Sequence, residues 1–381
     1  MDFQLNEEQQ AITRMARDFA NAEIAPHAAY YDEAREFPWD NVRKMADLGF
    51  LGIFIPEKFG GAGSDHVSYA LALEEVSRAC ASTGVIMSVN NSLVCWGIHQ
   101  YGSEAQKQKY LVPLAQGKKL GCFALTEPGA GSDAANLQTT AVLKGDEYVL
   151  NGSKIFITNG GVADVIIVMA VTDREKHHRG ISTFIVEKDF PGFKLGKREK
   201  TLGLRASSTS ELIFEDCRVP KENLVAQDGF GFRYAMETLD GGRIGIGAQA
   251  VGIAQACLDA SVAFSKDRQQ FGRPIAEFQA IQWMLADMAT QIAAARWLVL
   301  CAADLKDKKL PYAKESSMAK LFASETAMRS ATKAVQIHGG YGYVSEYPVE
   351  RYFRDAKITE IYEGTNEIQR LIISSSILKE G

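Results

Sequence analysis

The sequence of 381 residues lacks the features of several large protein classes. Its six cysteines are scattered without a CxxC pair, which argues against a disulfide framework or a zinc site and predicts reduced thiols and no bound metal. The formal net charge of -5 is too small to attract nucleic acid or an anionic membrane. Apolar runs such as 165–171 fall short of the roughly 20 residues of a spanning helix, so we expect no membrane insertion. A small soluble ligand is the expected partner.

Targeting signals and common catalytic motifs are also missing. The first residues, MDFQLNEEQQ, are acidic and polar, unlike a secretory signal or an Arg-rich presequence. We therefore expect a cytoplasmic bacterial protein or, as an alternative, the mature form of a mitochondrial matrix protein. GxxxxGK[ST], GxSxG and HExxH are absent. Residues 245–250 match GxGxxA, but no strand precedes them, so their small side chains favour a closely packed helix over a dinucleotide loop.

Three stretches with different periodicity follow one another along the chain. Residues 1–118 have helical apolar spacing and predict an N-terminal all-α domain. Residues 119–228 contain short β-rich runs and predict a central antiparallel β-barrel or sandwich. Residues 229–381 are proline-poor and predict an antiparallel helical bundle, with helices near 233–265, 278–306, 312–338 and 366–379. The fold class is therefore α+β multidomain, without the strand-helix alternation of a parallel nucleotide-binding sheet.

The central stretch is divided by residues typical of turns. The predicted strands lie at 147–150, 154–158, 165–171, 182–186 and 211–214. Asn151-Gly152, Asn159-Gly160-Gly161 and Pro191-Gly192 carry the residues that turns favour, so each is predicted to separate two strands.

Five segments carry groups suited to ligand chemistry, although each alone also fits an ordinary structural role. Thr126–Asp133 is a loop of small residues and hydroxyls whose amides could approach a planar or anionic ligand. Lys154–Thr158 is an aromatic-bearing strand. Residues 268–274 place two guanidiniums where they could grip a diphosphate or simply be solvated. Residues 336–343 break a helix with glycines. Glu363, before a glycine, by itself fits a solvated residue near a helix cap better than a catalytic one.

Taken together, these segments resemble the acyl-CoA dehydrogenase family over essentially the whole chain. The resembling motifs are TEPGAGSD at 126–133, KIFITNG at 154–160, RQQFGRP at 268–274, QIHGGYGY at 336–343 and IYEGTNEIQR at 361–370. The resemblance implies a helical, β-barrel and helical-bundle fold, a homotetramer and tightly bound FAD. It also implies an electron-transferring flavoprotein as the oxidant.

The resemblance assigns cofactor positions motif by motif. The residues that would line the flavin are Phe123, Leu125, Thr126, Ser132, Phe156, Ile157 and Thr158. Those that would reach the FAD of a neighbouring subunit are Arg268, Phe271, Gln336, Gly339 and Gly340, with Gln279 as a further cofactor contact. Thr365 and Glu367 would hold the diphosphate side.

The same resemblance assigns Glu363 as the base that removes the α-proton of an acyl-CoA thioester. Because that hydrogen is weakly acidic, the base needs a raised pKa and the carbonyl needs polarisation. The β-hydrogen would leave as hydride to flavin N5, giving a trans-2-enoyl-CoA. The substrate positions implied are Ser132, Asp240, Arg243, Gln249, Thr359 and Gly364.

The segments 86–93 and 238–252 resemble the short-chain, butyryl-CoA type of the family. Gln249 is the only long side chain in a stretch of Gly, Ala and Ile, and Thr359 lies one helical turn before Glu363, so both are expected to limit the pocket depth. A branched-chain dehydrogenase remains an alternative, since one methyl group changes pocket energetics by only ~1 to 3 kcal/mol. An acyl-CoA oxidase and a silent flavin- or CoA-binding scaffold are further alternatives, although the intact glutamate argues against the scaffold.

Overall fold

The computed structural model describes residues 4–379 and begins with a helical layer. Its helices are α1 (Glu7–Phe19), α2 (Ala28–Ala34), α3 (Trp39–Asp47), α4 (His66–Ala79), α5 (Ala81–Ser88), α6 (Trp96–Tyr101), α7 (Glu104–Gln106) and α8 (Val112–Ala115). Three π-helical segments, Ala20–Ile24, Val89–Cys95 and Lys107–Leu111, join some of them. The N-terminal all-α layer is thus confirmed.

Two buried asparagines fix the π-helical segment Val89–Cys95 that later forms one wall of the main cavity. Asn91 donates to Phe50 O at 2.8 Å and accepts from Ile53 N at 3.0 Å. Asn90 accepts from Gly121 N at 3.1 Å and so ties the helical layer to the first strand. Because buried backbone groups need partners, the two amides hold together segments that would otherwise leave polar atoms unsatisfied.

The central region is a mixed sheet of eight strands. They are β1 (Gly121–Ala124), β2 (Thr140–Lys144), β3 (Glu147–Ile157), β4 (Val165–Val171), β5 (Ile181–Glu187), β6 (Phe193–Arg198), β7 (Ser210–Pro220) and β8 (Leu224–Val225). The order is β6-β7-β3-β2-β4-β5-β8, with β1 paired to β4. β1 and β2 run parallel to β4, whereas the other pairs are antiparallel. The predicted β-rich domain is confirmed, but the pairing path is open and mixed and does not form a closed antiparallel barrel.

The predicted turn at Asn151-Gly152 is wrong. β3 continues through both residues, and its pairing with β7 shifts register between Leu150 and Gly152. The side-chain oxygen of Asn151 accepts from Asp216 N at 2.8 Å, so this side chain bonds across to the neighbouring strand. Gly152 has φ 147°, a value that suits the β-bulge formed here. Residues that are typical of a turn therefore occur here at a β-bulge within one strand.

The C-terminal region is a helical bundle. Its elements are α9 (Gly231–Asp267), β9 (Gln269–Gln270), β10 (Arg273–Pro274), α10 (Gln279–Asp307), α11 (Ala313–His338), α12 (Val349–Thr359) and α13 (Asn366–Ile377). All four predicted helices are present, and residues 245–250 lie inside α9, which excludes the dinucleotide-loop interpretation. α12 was not predicted, because its sequence is largely polar and buries only a narrow stripe.

Helix α9 is the central element, and it packs closely because of its glycines. A Cβ on Gly245 would lie 2.6 Å from Ser88 Oγ, and one on Gly252 would lie 2.4 Å from Glu74 O. Helices α9 and α10 are each long and apolar enough to cross a membrane by length and composition alone. α9 is mostly buried inside the protein, whereas α10 is largely exposed and presents Trp283, which is 63% exposed.

Arg354 of α12 connects all three regions. Its Nη2 donates to Asp32 Oδ2 of α2 at 2.7 Å, its Nε donates to Glu350 at 2.7 Å, and its Nη1 reaches Leu202 O in the β6-β7 loop at 3.4 Å. Beside it, Asp355 accepts from Leu204 N at 2.6 Å. The side chains of Arg354 and Asp32 are 11% and 10% exposed, so their charges are poorly solvated and depend on each other.

Replacing Arg354 with Met should therefore leave the Asp32 carboxylate buried without its bidentate partner. We expect the free energy of unfolding to fall by about 3 to 5 kcal/mol, as for a broken buried ion pair. Arg43→Met is the control, because Arg43 pairs with Asp40 on the surface at 70% and 69% exposure and should change stability little. Urea denaturation measures the free energy of unfolding of both variants. Similar decreases in the two would contradict a stabilising role for the buried Arg354–Asp32 ion pair.

Candidate active site

The cavity that brings together Glu363 and the residues predicted to line a flavin has a volume of about 320 Å³. It lies where the helical layer, the sheet and the bundle meet. Its lining residues are Val85, Val89, Leu93, Phe123, Leu125, Thr126, Gly131, Ser132, Ala134, Phe156, Ile157, Thr158, Met236, Leu239, Arg243, Tyr362, Glu363, Gly364, Ile368 and Ile372. A mostly apolar cavity with a few polar groups is typical of a small-molecule site.

Glu363 occupies the turn between α12 and α13 in an unusual backbone conformation. It has φ 51°, in the left-handed region that few non-glycine residues adopt, and Gly364 follows with φ 92°. The side chain packs against the bare backbone of α9, since a Cβ on Gly242 would lie only 2.0 Å from Glu363 Oε2. Such strain costs of order 1 to 3 kcal/mol and clusters at functional sites.

The carboxylate of Glu363 is desolvated. Its Oε2 atom is buried and has no hydrogen-bond partner among residues 4–379. Burial raises the pKa of Glu363 to about 8, and the positive charges of Arg243 and Lys320 oppose that rise. A carboxyl group whose pKa lies near neutrality can take up and release a proton under physiological conditions.

Arg243 and Asp240, one turn apart on α9, form a partly buried ion pair at the cavity wall. Arg243 Nη1 donates to Asp240 Oδ1, while Arg243 Nε is buried without a partner within the described chain. Burial raises the pKa of Asp240, and the guanidinium opposes this effect. Only Arg243 lines the cavity, so it is the member of the pair that can contact a ligand directly.

The ends of β1 and β3 form an open, partly aromatic wall suited to a planar ring. Phe156 is 61% exposed and has φ 58°, so a strained backbone turns an aromatic side chain outward. Gly129 and Gly131 of the neighbouring loop have nothing within 4 Å of a built Cβ, so a ligand could approach their backbone closely. All seven residues predicted to line a flavin border this cavity, and the wall therefore fits an isoalloxazine ring.

A buried lysine, Lys154, supports this wall from inside. Lys154 Nζ donates to Glu127 Oε1 at 2.7 Å and to Leu125 O at 3.0 Å. Glu127 in turn accepts from Gln138 N at 2.5 Å and Thr139 N at 3.0 Å. Burial lowers the pKa of Lys154 to about 8, against the attraction of Glu127. The pair fixes the loop 125–139 from inside.

A second group of predicted cofactor residues lies elsewhere. Arg268, Gly339 and Gly340 line a separate, shallow cavity of about 570 Å³ that also includes Tyr341, and the Arg268 guanidinium lies 5.3 Å from the Tyr341 ring. Phe271 is 93% exposed and has φ 52°. Gln279 and Gln336 are exposed as well. Within one chain, none of these residues lines the cavity of Glu363.

The two side chains expected to limit pocket depth do not line the cavity. Gln249 is fully buried; its Nε2 donates to Ala81 O at 2.8 Å and its Oε1 accepts from the Tyr362 hydroxyl. Thr359 is also buried, and its hydroxyl donates back to Ala356 O at 2.7 Å. The prediction that these two side chains fill the pocket directly is therefore wrong. Gln249 affects the cavity only through Tyr362, which lines it.

The segment after Glu363 contains two predicted site residues, Thr365 and Glu367, and is held by a lysine that the sequence did not single out. Thr365 caps α13 by accepting from Ile368 N at 3.4 Å, and Glu367 is exposed in its first turn. Lys320 Nζ donates to Gly364 O at 2.8 Å. The sequence does contain a pattern that indicates burial of Lys320, because its spacing from Ser316 and Ala323 places it on the buried stripe of α11. No group of three or more His, Cys, Asp or Glu residues in the described chain could hold a metal ion.

Family models match three consecutive parts of the chain. The acyl-CoA dehydrogenase N-terminal domain matches residues 6–118, the middle domain matches 122–217 and the C-terminal domain matches 229–378. Among curated proteins, the short-chain specific acyl-CoA dehydrogenase of Clostridium acetobutylicum is 55% identical over 379 residues, covering 100% of both chains. The mitochondrial short-chain specific enzyme of Rattus norvegicus is 54% identical and covers 99% of this chain and 91% of its own.

Solved structures agree with these matches. Butyryl-CoA dehydrogenase from Megasphaera elsdenii superposes with a TM-score of 0.98 at 49% identity, covering 99% of this chain and 100% of that one. A chain solved in work on the electron transferring flavoprotein of Acidaminococcus fermentans gives a TM-score of 0.99 at 55% identity, with both chains fully covered. The likeness extends over the whole length of each protein. The chain therefore belongs to the acyl-CoA dehydrogenase family of oxidoreductases.

Proposed function

We propose that this protein removes the α- and β-hydrogens of a short-chain acyl-CoA, such as butyryl-CoA, to give a trans-2-enoyl-CoA. The observation that carries the proposal is the position of Glu363: a carboxylate with a raised pKa, unpartnered at Oε2, inside an apolar cavity. Two relatives above 50% identity are named short-chain specific acyl-CoA dehydrogenases, which supports the substrate class.

In this proposal the described residues perform the proton chemistry and the positioning. Glu363 takes the α-proton, and its buried Oε2 is free to receive it. Apolar residues such as Val89, Leu93 and Leu239 exclude water, which keeps the base from being solvated and its proton from being lost to solvent. The partnerless Nε of Arg243 is available to an oxygen of the CoA part, with Asp240 holding the guanidinium in place.

FAD is the cofactor that the family implies, and when bound it would accept the β-hydride at N5. The protein's part is to present the wall of Phe123, Leu125, Phe156 and Ile157, with Thr126, Thr158 and Ser132 as hydroxyl donors, Ser132 being shared with the substrate. We also propose that the electrons pass to an electron-transferring flavoprotein. The likeness to a chain studied with such a flavoprotein supports this partner.

We further propose a homotetramer in which a neighbouring subunit completes each cofactor site. Arg268, Gly339 and Gly340 are assembled on a surface of their own, and Phe271 is almost fully exposed, as expected of residues that serve another chain. The apolar, exposed face of α10 around Trp283 is suited to burial between subunits. Separately, we propose that the boundaries between the three domains lie near residues 118 and 228.

Substituting Glu363 with Gln should abolish turnover while FAD and substrate still bind, because an amide cannot accept the proton. We expect bleaching of the flavin absorbance by anaerobic butyryl-CoA to slow by at least about 10²-fold. Glu360→Gln is the matched control, since Glu360 pairs with Lys357 on the same turn and does not line the cavity. Undiminished bleaching in Glu363→Gln would place the base elsewhere. Oxygen consumption by the unmodified protein with substrate and no added acceptor would indicate an oxidase.

The same variant should show a pH-dependent gain in stability. The pKa of about 8 lies above that of a free glutamate, so folding favours the protonated carboxyl. That contribution is complete below about pH 4.3 and is lost as the pH rises through the folded value. Glu363→Gln removes the titration, so its melting temperature relative to the parent protein should rise between about pH 4.3 and about pH 8 and level off above that. A constant difference across this range would contradict burial of the ionised group.

Gln249→Ala should shift the chain-length preference toward longer substrates. Without the amide, Tyr362 loses its bond to α9 and can move away from the cavity, which deepens the pocket. We expect the ratio of kcat/KM for hexanoyl-CoA over butyryl-CoA to rise by about 10-fold, within the range of one or two methylenes. Gln255→Ala is the control, because Gln255 lies on the same helix but bonds to Arg296. An unchanged profile across straight and branched C4 to C8 thioesters would reject this role.

Mixing a catalytically inactive variant with one that retains FAD poorly should restore activity if neighbouring subunits share a cofactor site. Glu363→Gln keeps Arg268, and Arg268→Met keeps Glu363, so a mixed assembly has intact sites only when Arg268 comes from the other chain. We expect Arg268→Met to weaken FAD retention by about 10-fold or more, as for a lost charge-assisted hydrogen bond. Refolded mixtures should then regain activity, whereas Lys266→Met, which removes a nearby exposed charge, should need no rescue. Mixtures that stay inactive would show that each chain serves its own site.

A further inference from the structure

Lys320 of α11 lies directly beneath the turn that carries Glu363. The residue is 0% exposed, and its Nζ donates to Gly364 O at 2.8 Å and to Asn366 Oδ1 at 3.0 Å. Ser324, one turn further along α11, donates to the same Asn366 oxygen at 3.0 Å. A buried ammonium is costly unless it is compensated. Within residues 4–379, no carboxylate lies within ion-pair distance of the Lys320 ammonium.

The two acceptors of Lys320 define the conformation of the turn. Gly364 O also accepts from Gln369 Nε2 at 2.9 Å, and the same amide reaches Glu363 O at 3.3 Å. These bonds hold the peptide groups on either side of Gly364, the second of two consecutive residues with positive φ. Because a left-handed glutamate is strained, the surrounding structure must fix it. Lys320 supplies one of these bonds from outside the turn.

Lys320 also provides one of two cations that face the carboxylate. Arg243 of α9 is the other, but it already forms an ion pair with Asp240. The remaining titratable groups that interact with Glu363 are Tyr362, beside it, and Tyr69 of α4, and both are neutral phenols.

The surroundings of Lys320 itself hold further charges. Arg243 opposes its charge, while Glu360 and Glu367 favour it. Burial lowers the pKa of Lys320, and the negative charge of Glu363 is the largest influence in the opposite direction. Glu363 is therefore the main charge acting on Lys320, whereas Lys320 is the second of the two cations acting on Glu363, after Arg243.

We propose that Lys320 is a positioning residue for proton abstraction: it fixes the 363–364 turn through Gly364 O and favours the ionised form of Glu363. The proposal rests on the proposed role of Glu363 as the base. Lys320 does not line the cavity and contacts no reacting atom, so it acts only through Glu363.

Lys320→Met tests the positioning role in the FAD-loaded protein. We expect the rate of flavin bleaching by butyryl-CoA to fall by about 10- to 100-fold, because a small displacement of a catalytic group has this effect. KM should change by less than about threefold, since the substrate contacts remain. Ser324→Ala is the matched control: it removes a neutral bond to the same Asn366 oxygen and should stay close to the parent rate. Lys320→Gln, neutral but able to donate, provides a second test if Lys320→Met does not fold.

The pH profile separates this role from a purely structural one. The cation favours ionised Glu363, so its removal should raise the pKa of that carboxyl. The acid limb of the rate should then move to higher pH by about 1 unit in Lys320→Met and Lys320→Gln, within the range for a nearby opposite charge. Lys320→Arg, which keeps the charge, should restore the limb to its original position. Parallel profiles with a uniformly lower rate would overturn the proposal.

A double-mutant cycle provides a readout without turnover. Melting temperatures are compared for Lys320→Met, Glu363→Gln and the double variant at about pH 7.5, between the pKa of Lys320, lowered to about 7, and that of Glu363, raised to about 8. If the two charges attract each other, Lys320→Met should destabilise the parent protein more than it destabilises Glu363→Gln. Additive effects would overturn the electrostatic part of the proposal. If the unmodified protein fails to bleach with any acyl-CoA, the proposed function fails; if it bleaches while the cycle is additive and the pH limb is unmoved, only the role of Lys320 fails.

Discussion

The burial of one carboxylate against the bare backbone of α9 is the constraint on which the site depends. Glu363 can sit where it does only because position 242 has no side chain, since a Cβ there would lie 2.0 Å from Oε2. The same contact removes water from the carboxyl group and raises its pKa to about 8. Packing and proton affinity are thus two effects of one contact, and an alanine at position 242 would disturb both.

The rest of the fold holds the two sides of this contact together. α9 approaches α4 through Gly245 and Gly252, which fixes its depth in the protein. The turn of Glu363 connects α12 and α13. Arg354 of α12 bonds to Asp32 in the helical layer and to Leu202 O in the β6-β7 loop. The loop of Thr126 and Ser132 is anchored by the buried pair of Lys154 and Glu127. Each wall of the cavity therefore comes from a different region, and buried polar contacts set the distances between them.

Sequence patterns predicted the parts of this arrangement that have strong local signals. Long apolar periodicity located α9, α10 and α11 to within a few residues, and β4 matched its predicted range. α12 was missed because its sequence is mostly polar, and the turn at Asn151-Gly152 was misassigned because a bulge favours the same residues. Such errors arise where tertiary contacts, which a local pattern does not contain, determine the backbone.

The site residues divide in the same way. The motif residues that line the cavity, Glu363 among them, lie together as the resemblance implied. Gln249 does not line the cavity itself, and its bond to the Tyr362 hydroxyl joins residues 113 positions apart, a contact that no local pattern contains. Lys320 stood in no recognised motif, and its partner Gly364 lies 44 positions away. Side chains that act through another residue are therefore hard to read from sequence.

The two cations near Glu363 show why such indirect residues matter. Without any positive charge nearby, the pKa of this carboxyl group would rise still further, so an even smaller fraction would be ionised at neutral pH and able to act as a base. A direct ion pair would have the opposite fault, because it would hold the carboxylate ionised and weaken its affinity for the proton. Arg243 is partly neutralised by Asp240, and Lys320 is bonded to a carbonyl and an amide oxygen and not to the carboxylate. Both cations therefore act on Glu363 from a distance, which leaves its proton affinity between these two extremes.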